Sequence, residues 1–154
     1  MRVGLLGLQG AFLDHIAHLT RCGVTYAIVR DIQGLAQIDR LIIPGGESTV
    51  MTKFLLEFGM LIPLRERIGA GMPVWGVCAG AILLAERVDG QSGTLGALSV
   101  QLTRNAYGRQ IASDTMPIQV PILGLDTYPA IFIRAPRIDS LAADVTVHAR
   151  RQND

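Results

Sequence analysis

Short apolar runs, each ending in a glycine-containing turn and each followed by residues at helical spacing, recur along the first half of the chain. Residues 2–7 read as a short buried strand, and Gly7-Leu8-Gln9-Gly10 as a turn. Residues 11–22 follow with Phe12, Ile16 and Leu19 on one face. Asp14, His15, His18 and Arg21 lie towards the other, so this stretch reads as an amphipathic helix, stopped by Gly23. Residues 24–30 are rich in apolar and β-branched side chains and read as a second strand, residues 32–38 as a short helix or loop, and residues 40–43 as a third strand. That strand runs into Pro44-Gly45-Gly46-Glu47-Ser48-Thr49. Ser48 or Thr49 is the expected cap of a helix through Met51, Phe54, Leu55 and Phe58. Gly59 breaks that helix, residues 61–68 form another, and Gly71-Met72-Pro73 leads into the strand Val74-Trp75-Gly76-Val77. Residues 81–87 again have helical character.

The texture changes after Asp89-Gly90. Residues 95–103 and 116–123 read as extended segments, residues 130–133 as a strand ending in Arg134-Ala135-Pro136, and residues 143–148 as a last strand. Between them Arg104-Asn105-Ala106-Tyr107-Gly108-Arg109-Gln110 is a polar excursion. It suits an ordinary surface loop, and its two guanidinium groups could also hold a carboxylate. Alternation of strands and helices predicts an α/β fold with a doubly wound, mostly parallel sheet flanked by helices and right-handed crossovers. In such sheets ligands bind at the carboxyl ends of the strands. Gln9, the 45–48 loop and Cys78 all fall at such ends.

Composition narrows the classes further. A chain of 154 residues, 49% hydrophobic, suits one domain with one well-filled core. With 14 basic and 13 acidic residues the net charge is +1, which gives no footprint for nucleic acid or an anionic membrane. Two cysteines, Cys22 and Cys78, are too few for a disulfide framework, and no Cys/His spacing suits a metal site. His15 and His18 lack a third ligand nearby in sequence and read as a solvated helix face. Gln9 and Asp14 interrupt the apolar start, which therefore reads as a strand rather than a signal peptide. No apolar run is long enough to span a bilayer, and a reducing cytoplasm is the expected compartment.

The chemistry concentrates at Gly76-Val77-Cys78-Ala79-Gly80. Strand, Gly-x-Cys-x-Gly, then helix is the spacing of a nucleophile elbow, a tight turn that lifts one side chain above the sheet edge. Glycines are needed there because a β-carbon on either side would clash with the neighbouring chain. The competing reading is that Cys78 is a small buried hydrophobe. The Gly45-Gly46 loop has the same form at an equivalent strand end. It reads either as a tight turn or as backbone amides presented at a helix start. Glycines at 4, 7 and 10 do not make the dinucleotide fingerprint, and no cofactor is expected.

These motifs together resemble one family. Gly7-Leu8-Gln9-Gly10-Ala11, Pro44-Gly45-Gly46-Glu47-Ser48-Thr49, Gly76-Val77-Cys78-Ala79-Gly80, the 104–110 stretch and Phe132-Ile133-Arg134-Ala135-Pro136 occur in the order of the glutaminase subunits of pyridoxal 5′-phosphate synthase. Those subunits are class I (triad) glutamine amidotransferases with a flavodoxin-like, three-layer fold. The resemblance implies that Cys78 attacks glutamine to give a thioester and ammonia, with the oxyanion held by the backbone amides of Gly46 and Ala79. It implies glutamine binding by Gly46, Glu47, Ser48, Arg104, Ile133 and Arg134. Gln9 would face the synthase partner, a (β/α)₈ barrel that uses the ammonia to make pyridoxal phosphate (vitamin B6). It also implies activation of the glutaminase by docking.

Two departures from the family pattern shape the expectations. Val77 stands where threonine is usual. The family's His-x-Glu pair has no counterpart in residues 1–154, where His148-Ala149-Arg150 holds the only downstream histidine. The expectation is therefore one glutaminase domain, 1–154, C-terminally truncated and missing the last elements of the family fold, and, with no general base beside the thiol, a very weak glutaminase or none even with the synthase present. An inactive relative that only docks, and an unrelated thiol hydrolase or redox sensor, stay open beside the enzyme.

Overall fold

The computed structural model describes residues 1–106 and 114–150. Its first half is an alternation of strands and helices. In chain order these are β1 (Arg2–Leu6), α1 (Asp14–Arg21), β2 (Thr25–Val29), α2 (Ile32–Ala36), β3 (Arg40–Ile43), α3 (Ser48–Glu57), α4 (Leu61–Gly69), β4 (Val74–Gly76) and α5 (Ala79–Leu84). The four strands form one sheet in the order β2-β1-β3-β4, every pair parallel. Leu5 of β1 lies between Ile28 and Ile42 in register. Parallel neighbours need crossover connections, and here helices supply them on both faces.

Side-chain alternation along the strands divides the core into two layers. Val3, Leu5 and Ile42 point to one face and meet Phe12, Ile16 and Leu19 from the α1 segment. Leu6, Val29, Leu41 and Ile43 point to the other and meet Leu35, Met51, Leu55, Leu64 and Leu83 from α2 to α5. Leu5, Ile43, Met51, Leu55, Leu64 and Leu83 are fully enclosed. Each such side chain contributes roughly 1.5–3 kcal/mol relative to exposure. This core holds the carboxyl ends of β1, β3 and β4 in one fixed row.

The second half is built differently. Strands β5 (Ala85–Val88), β6 (Gln91–Ser92), β7 (Leu98–Thr103) and β10 (Arg137–Leu141) form a mixed sheet in the order β10-β7-β5-β6, in which only β5 and β7 run parallel. Its small core is Ala85, Val100 and Leu102, backed by Ile82 and Val88. Strands β8 (Asp114–Val120) and β9 (Leu125–Phe132), joined through a 3₁₀ turn at Pro121–Leu123, make an antiparallel hairpin.

Several expectations need correction. The helix expected over 11–22 begins at Asp14, after a turn. His15, expected on the solvated face, leans edge-on against Trp75 of β4 with ring centroids 5.8 Å apart. Neither Ser48 nor Thr49 caps α3: the N-cap is Glu47, Ser48 is buried, and the Thr49 hydroxyl donates to Glu47 Oε1 at 3.0 Å. The helix expected to run to residue 87 stops at Leu84, because Ala85 onward pairs with β6 and β7. Residues 143–148 are not a strand, whereas Arg137–Leu141 is one.

Candidate active site

Three chain segments meet at the carboxyl ends of β1, β3 and β4, where a parallel sheet leaves a crevice. The Gln9 side chain reaches the loop after β3, and its Oε1 accepts from the Glu47 amide at 2.8 Å. The Ala11 amide donates to the Gly45 carbonyl at 2.9 Å, which ties the turn after β1 to the same loop. The turn after β4 adjoins them: a β-carbon on Gly45 would lie 3.7 Å from the Cys78 β-carbon. The predicted convergence of Gln9, the 45–48 loop and Cys78 is present.

Cys78 sits between β4 and α5 with φ 49° and ψ −103°, a backbone state that non-glycine residues rarely adopt. The surrounding packing imposes it. The Val77 amide donates to the Ile43 carbonyl at 3.0 Å, and the Gly80 amide to the Val77 carbonyl at 2.8 Å. A β-carbon on Gly80 would overlap the Ile43 carbonyl oxygen, and one on Gly76 would come within 2.6 Å of the Gly80 carbonyl carbon. The turn is thus wedged against the end of β3, and strain of this kind persists only where packing over-determines it. The thiol is exposed, which overturns the buried-hydrophobe alternative for Cys78.

The oxyanion candidates follow next in sequence after Cys78 and after Gly45, whose added β-carbon would lie 3.7 Å from the Cys78 β-carbon. The amides of Gly46 and Ala79 have no acceptor among the described residues, and Ala79 opens α5, where helical amides lack partners. Gly46 has no room for a side chain, because a β-carbon would press on Gly10 Cα and Met51 Cε, both 2.8 Å away.

A cleft of about 270 Å³ opens one helical turn along α5 from Cys78. Ser48, Thr49, Thr52, Ile82, Thr94 and Arg104 are among its walls. The Ile82 amide donates to the Cys78 carbonyl at 3.1 Å, which joins cleft and thiol through α5. Thr52 and Thr94 pair their hydroxyls at 2.8 Å. Arg104 is anchored by Asp89: its amide donates to Oδ1 at 2.9 Å and its Nε to Oδ2 at 2.6 Å. Those two bonds, the backbone one foremost, hold the Asp89 carboxyl below the ordinary carboxylate range.

The structure therefore brings Gln9, Gly46, Glu47, Ser48, Cys78 and Ala79 together and places Arg104 on the adjoining cleft. Ile133 and Arg134 are exposed at the end of the hairpin and are not among the cleft's walls. Arg109, the second guanidinium of the polar excursion, lies outside the described residues. His148 lines a different cleft, with Gln119, Pro121 and Arg150. Among the described residues no group of three or more His, Cys, Asp or Glu side chains is placed to hold a metal ion. No helix among them is long and apolar enough to cross a membrane. Sequence reasoning missed Asp89, Thr52 and Thr94. Only Asp89 carried a signal, as the first residue of an Asp-Gly turn.

Comparison with known proteins agrees with the fold. The profile of the SNO glutamine amidotransferase family matches residues 5–154. A relative from Herpetosiphon aurantiacus, pyridoxal 5′-phosphate synthase subunit PdxT, is 48% identical over 150 residues, covering 94% of this chain and 78% of the relative. A crystal structure of a glutamine amidotransferase superposes with a TM-score of 0.88 at 38% identity, covering 98% of this chain and 80% of the other. The PurLQS structure from Thermotoga maritima shares the fold, with a TM-score of 0.68 at 15% identity over 99% of this chain and 75% of the other.

Proposed function

The chain belongs to the SNO glutamine amidotransferase family, and from that premise we propose how its residues divide the work of a glutaminase in vitamin B6 synthesis. The observation that carries the reading is the exposed Cys78 thiol at positive φ between β4 and α5, beside the Gly45-Gly46 loop. We read this turn as a nucleophile elbow. Residues 1–154 act as one glutaminase domain.

Glutamine enters with its carboxylate end towards Arg104 and its side-chain amide towards Cys78. Glu47 and Ser48 line the path between them, and Ile133 and Arg134 join them in binding glutamine. The Cys78 sulfur, as thiolate, attacks the amide carbon. The carbonyl oxygen becomes an oxyanion and takes hydrogen bonds from the Gly46 and Ala79 amides, which have no other acceptor among the described residues. When the tetrahedral intermediate collapses, the carbon–nitrogen bond breaks and the leaving nitrogen takes a proton from water, equal to the one the thiol gave up to solvent, so that ammonia is released. Water then cleaves the γ-glutamyl thioester, releasing glutamate and restoring the thiol. A preformed pair of amide donors supplies rate because it needs no reorganisation as charge develops, and each such donor is worth roughly 10²–10³ in rate.

Ammonia passes to a (β/α)₈-barrel synthase subunit that docks on the Gln9 side of the site, and the complex works in the cytoplasm. Gln9 links that face to the oxyanion loop directly, through its bond to the Glu47 amide. The inactive docking relative is not favoured, because the exposed thiol, the two free amides and the cleft are all retained. A direct test is rapid acid quenching of the protein mixed with glutamine and the synthase subunit. The peptide containing Cys78 should carry a γ-glutamyl group by mass spectrometry. Absence of the adduct on Cys78, with glutamate still forming, would overturn the assignment.

A further inference from the structure

Asp89 and Gly90 form the two-residue turn between β5 and β6, with φ 50° and 79°, and Val88 pairs with Gln91 across it. Positive φ at both central residues is the requirement of a type I′ hairpin, and Asp-Gly meets it. A turn alone would leave the Asp89 carboxylate in solvent. Here both of its oxygens are used, and both by Arg104, the residue that follows β7. The Asp89 amide in turn donates to the Leu102 carbonyl at 2.9 Å, which stitches the turn to the end of β7.

The contact has a definite polarity on the guanidinium. Asp89 takes Nε, and no described residue accepts from Nη1 or Nη2. Those two nitrogens are the edge of the guanidinium fork that a second carboxylate can use. Arg104 also lines the cleft that opens one helical turn along α5 from Cys78 and includes buried Ser48 among its walls. An unanchored arginine samples many rotamers, and holding one of them removes part of the entropy lost on binding.

We propose that Asp89 is a positioning residue for substrate: it holds Arg104 by backbone and guanidinium together, so that the free Nη edge meets the carboxylate of glutamine. This rests on the reading of Arg104 as a glutamine-binding residue. Asp89 itself does not touch the substrate.

The Asp89→Asn variant separates this role from the turn. Asn-Gly is an equally good type I′ sequence, and Asn keeps an acceptor for the Arg104 amide but loses the charge that orients the guanidinium. The experiment is calorimetric titration of glutamine into the complex with the synthase subunit. Cys78→Ala is present throughout, so that binding is read without turnover. Arg104→Ala should weaken glutamine at least about tenfold, the scale of a lost charge-assisted pair. Asp89→Asn should weaken it about threefold to fivefold, the scale of a partly exposed ion pair, with the melting temperature lowered by no more than about 2–4 °C. The double variant should bind no worse than Arg104→Ala alone. Parent-like binding by Asp89→Asn beside weakened Arg104→Ala overturns the positioning role and leaves the Arg104 reading intact. Additive losses in the double variant overturn it too, because Asp89 would then act without Arg104. Parent-like binding by Arg104→Ala overturns the Arg104 reading itself.

Discussion

Two turns lie side by side at the carboxyl end of the parallel sheet, and they are anchored to different parts of the chain. The loop after β3, residues 44–47, is held by hydrogen bonds from outside: Gln9 Oε1 on the Glu47 amide and the Ala11 amide on the Gly45 carbonyl. The turn after β4 is held from within the sheet: its own backbone bonds to the end of β3 and to itself, Gly76 and Gly80 are pressed on backbone, and Cys78 stands at φ 49°. The first therefore presents a donor and can be retuned by whatever moves Gln9. The second fixes a nucleophile and cannot yield. A rigid Cys78 turn beside an adjustable loop is what the proposed docking of a synthase subunit on the Gln9 face would require.

The sharpest way to break this comparison is at Gly80. Gly80→Ala drives a methyl group into the Ile43 carbonyl oxygen, where the nearest atoms are the carbonyl group and β-carbon of Ile43 and no flexible side-chain end can give. The expected loss is about 2–4 kcal/mol in urea unfolding. A loss below about 0.5 kcal/mol, the range of indifferent surface changes, would show that the β4 turn is not wedged. Next in size is the contrast inside the β3 loop. Gly46→Ala meets Gly10 Cα, Met51 Cε and Gln9 Oε1, and should displace the amide and cut modification of Cys78 by a glutamine analogue roughly tenfold or more. Gly45→Ala makes only ordinary contacts, at 3.7 Å and 3.8 Å, and should fold and react like the parent. Equal behaviour of the two variants would remove the distinction.

A smaller effect of opposite sign is expected at the nucleophile. Cys78→Gly releases backbone strain of about 1–3 kcal/mol and adds unfolded-chain entropy of about 0.4–1 kcal/mol. The net should be a gain of roughly 1 kcal/mol with all reactivity lost. The smallest effect is at the edge of the cleft. The folded Asp89 carboxyl titrates below its unfolded value, so its contribution is present above about pH 4 and is lost as pH falls towards the folded value. The pair is more than one-third exposed on both sides, so the loss is under about 1 kcal/mol. Unfolding curves across that range should be less pH-dependent in Asp89→Asn than in the parent.

The parallel half was legible in the sequence because buried strands read as continuous apolar runs, and their glycine turns announce themselves. Residues 40–43 match β3, and the order of elements through β4 is as read. Burial is what made the pattern visible. Where it fades, so did the reading: β10 is exposed at every position, and its Ile138 and Leu141 look no different from loop residues. Ala85, Glu86 and Arg87 are good helix formers, yet β6 and β7 recruit them as strand, a tertiary override that local propensity does not register. In the site, the Cys78 turn was legible because glycine spacing encodes it, whereas the roles of the Gly46 and Ala79 amides came with the family resemblance. The Asp89–Arg104 anchor joins residues fifteen apart through a turn and a parallel pairing, and no spacing rule announces it.

The central claim is that Cys78 is the glutamine-directed nucleophile, and the two exposed cysteines make its test internally controlled. The protein, with the synthase subunit present, is treated with a diazoketone analogue of glutamine, and the labelled peptides are read by mass spectrometry. The account predicts label on Cys78, none on Cys22, and protection of Cys78 by excess glutamine. Equal labelling of both thiols, or labelling of Cys78 that glutamine does not slow, would contradict it.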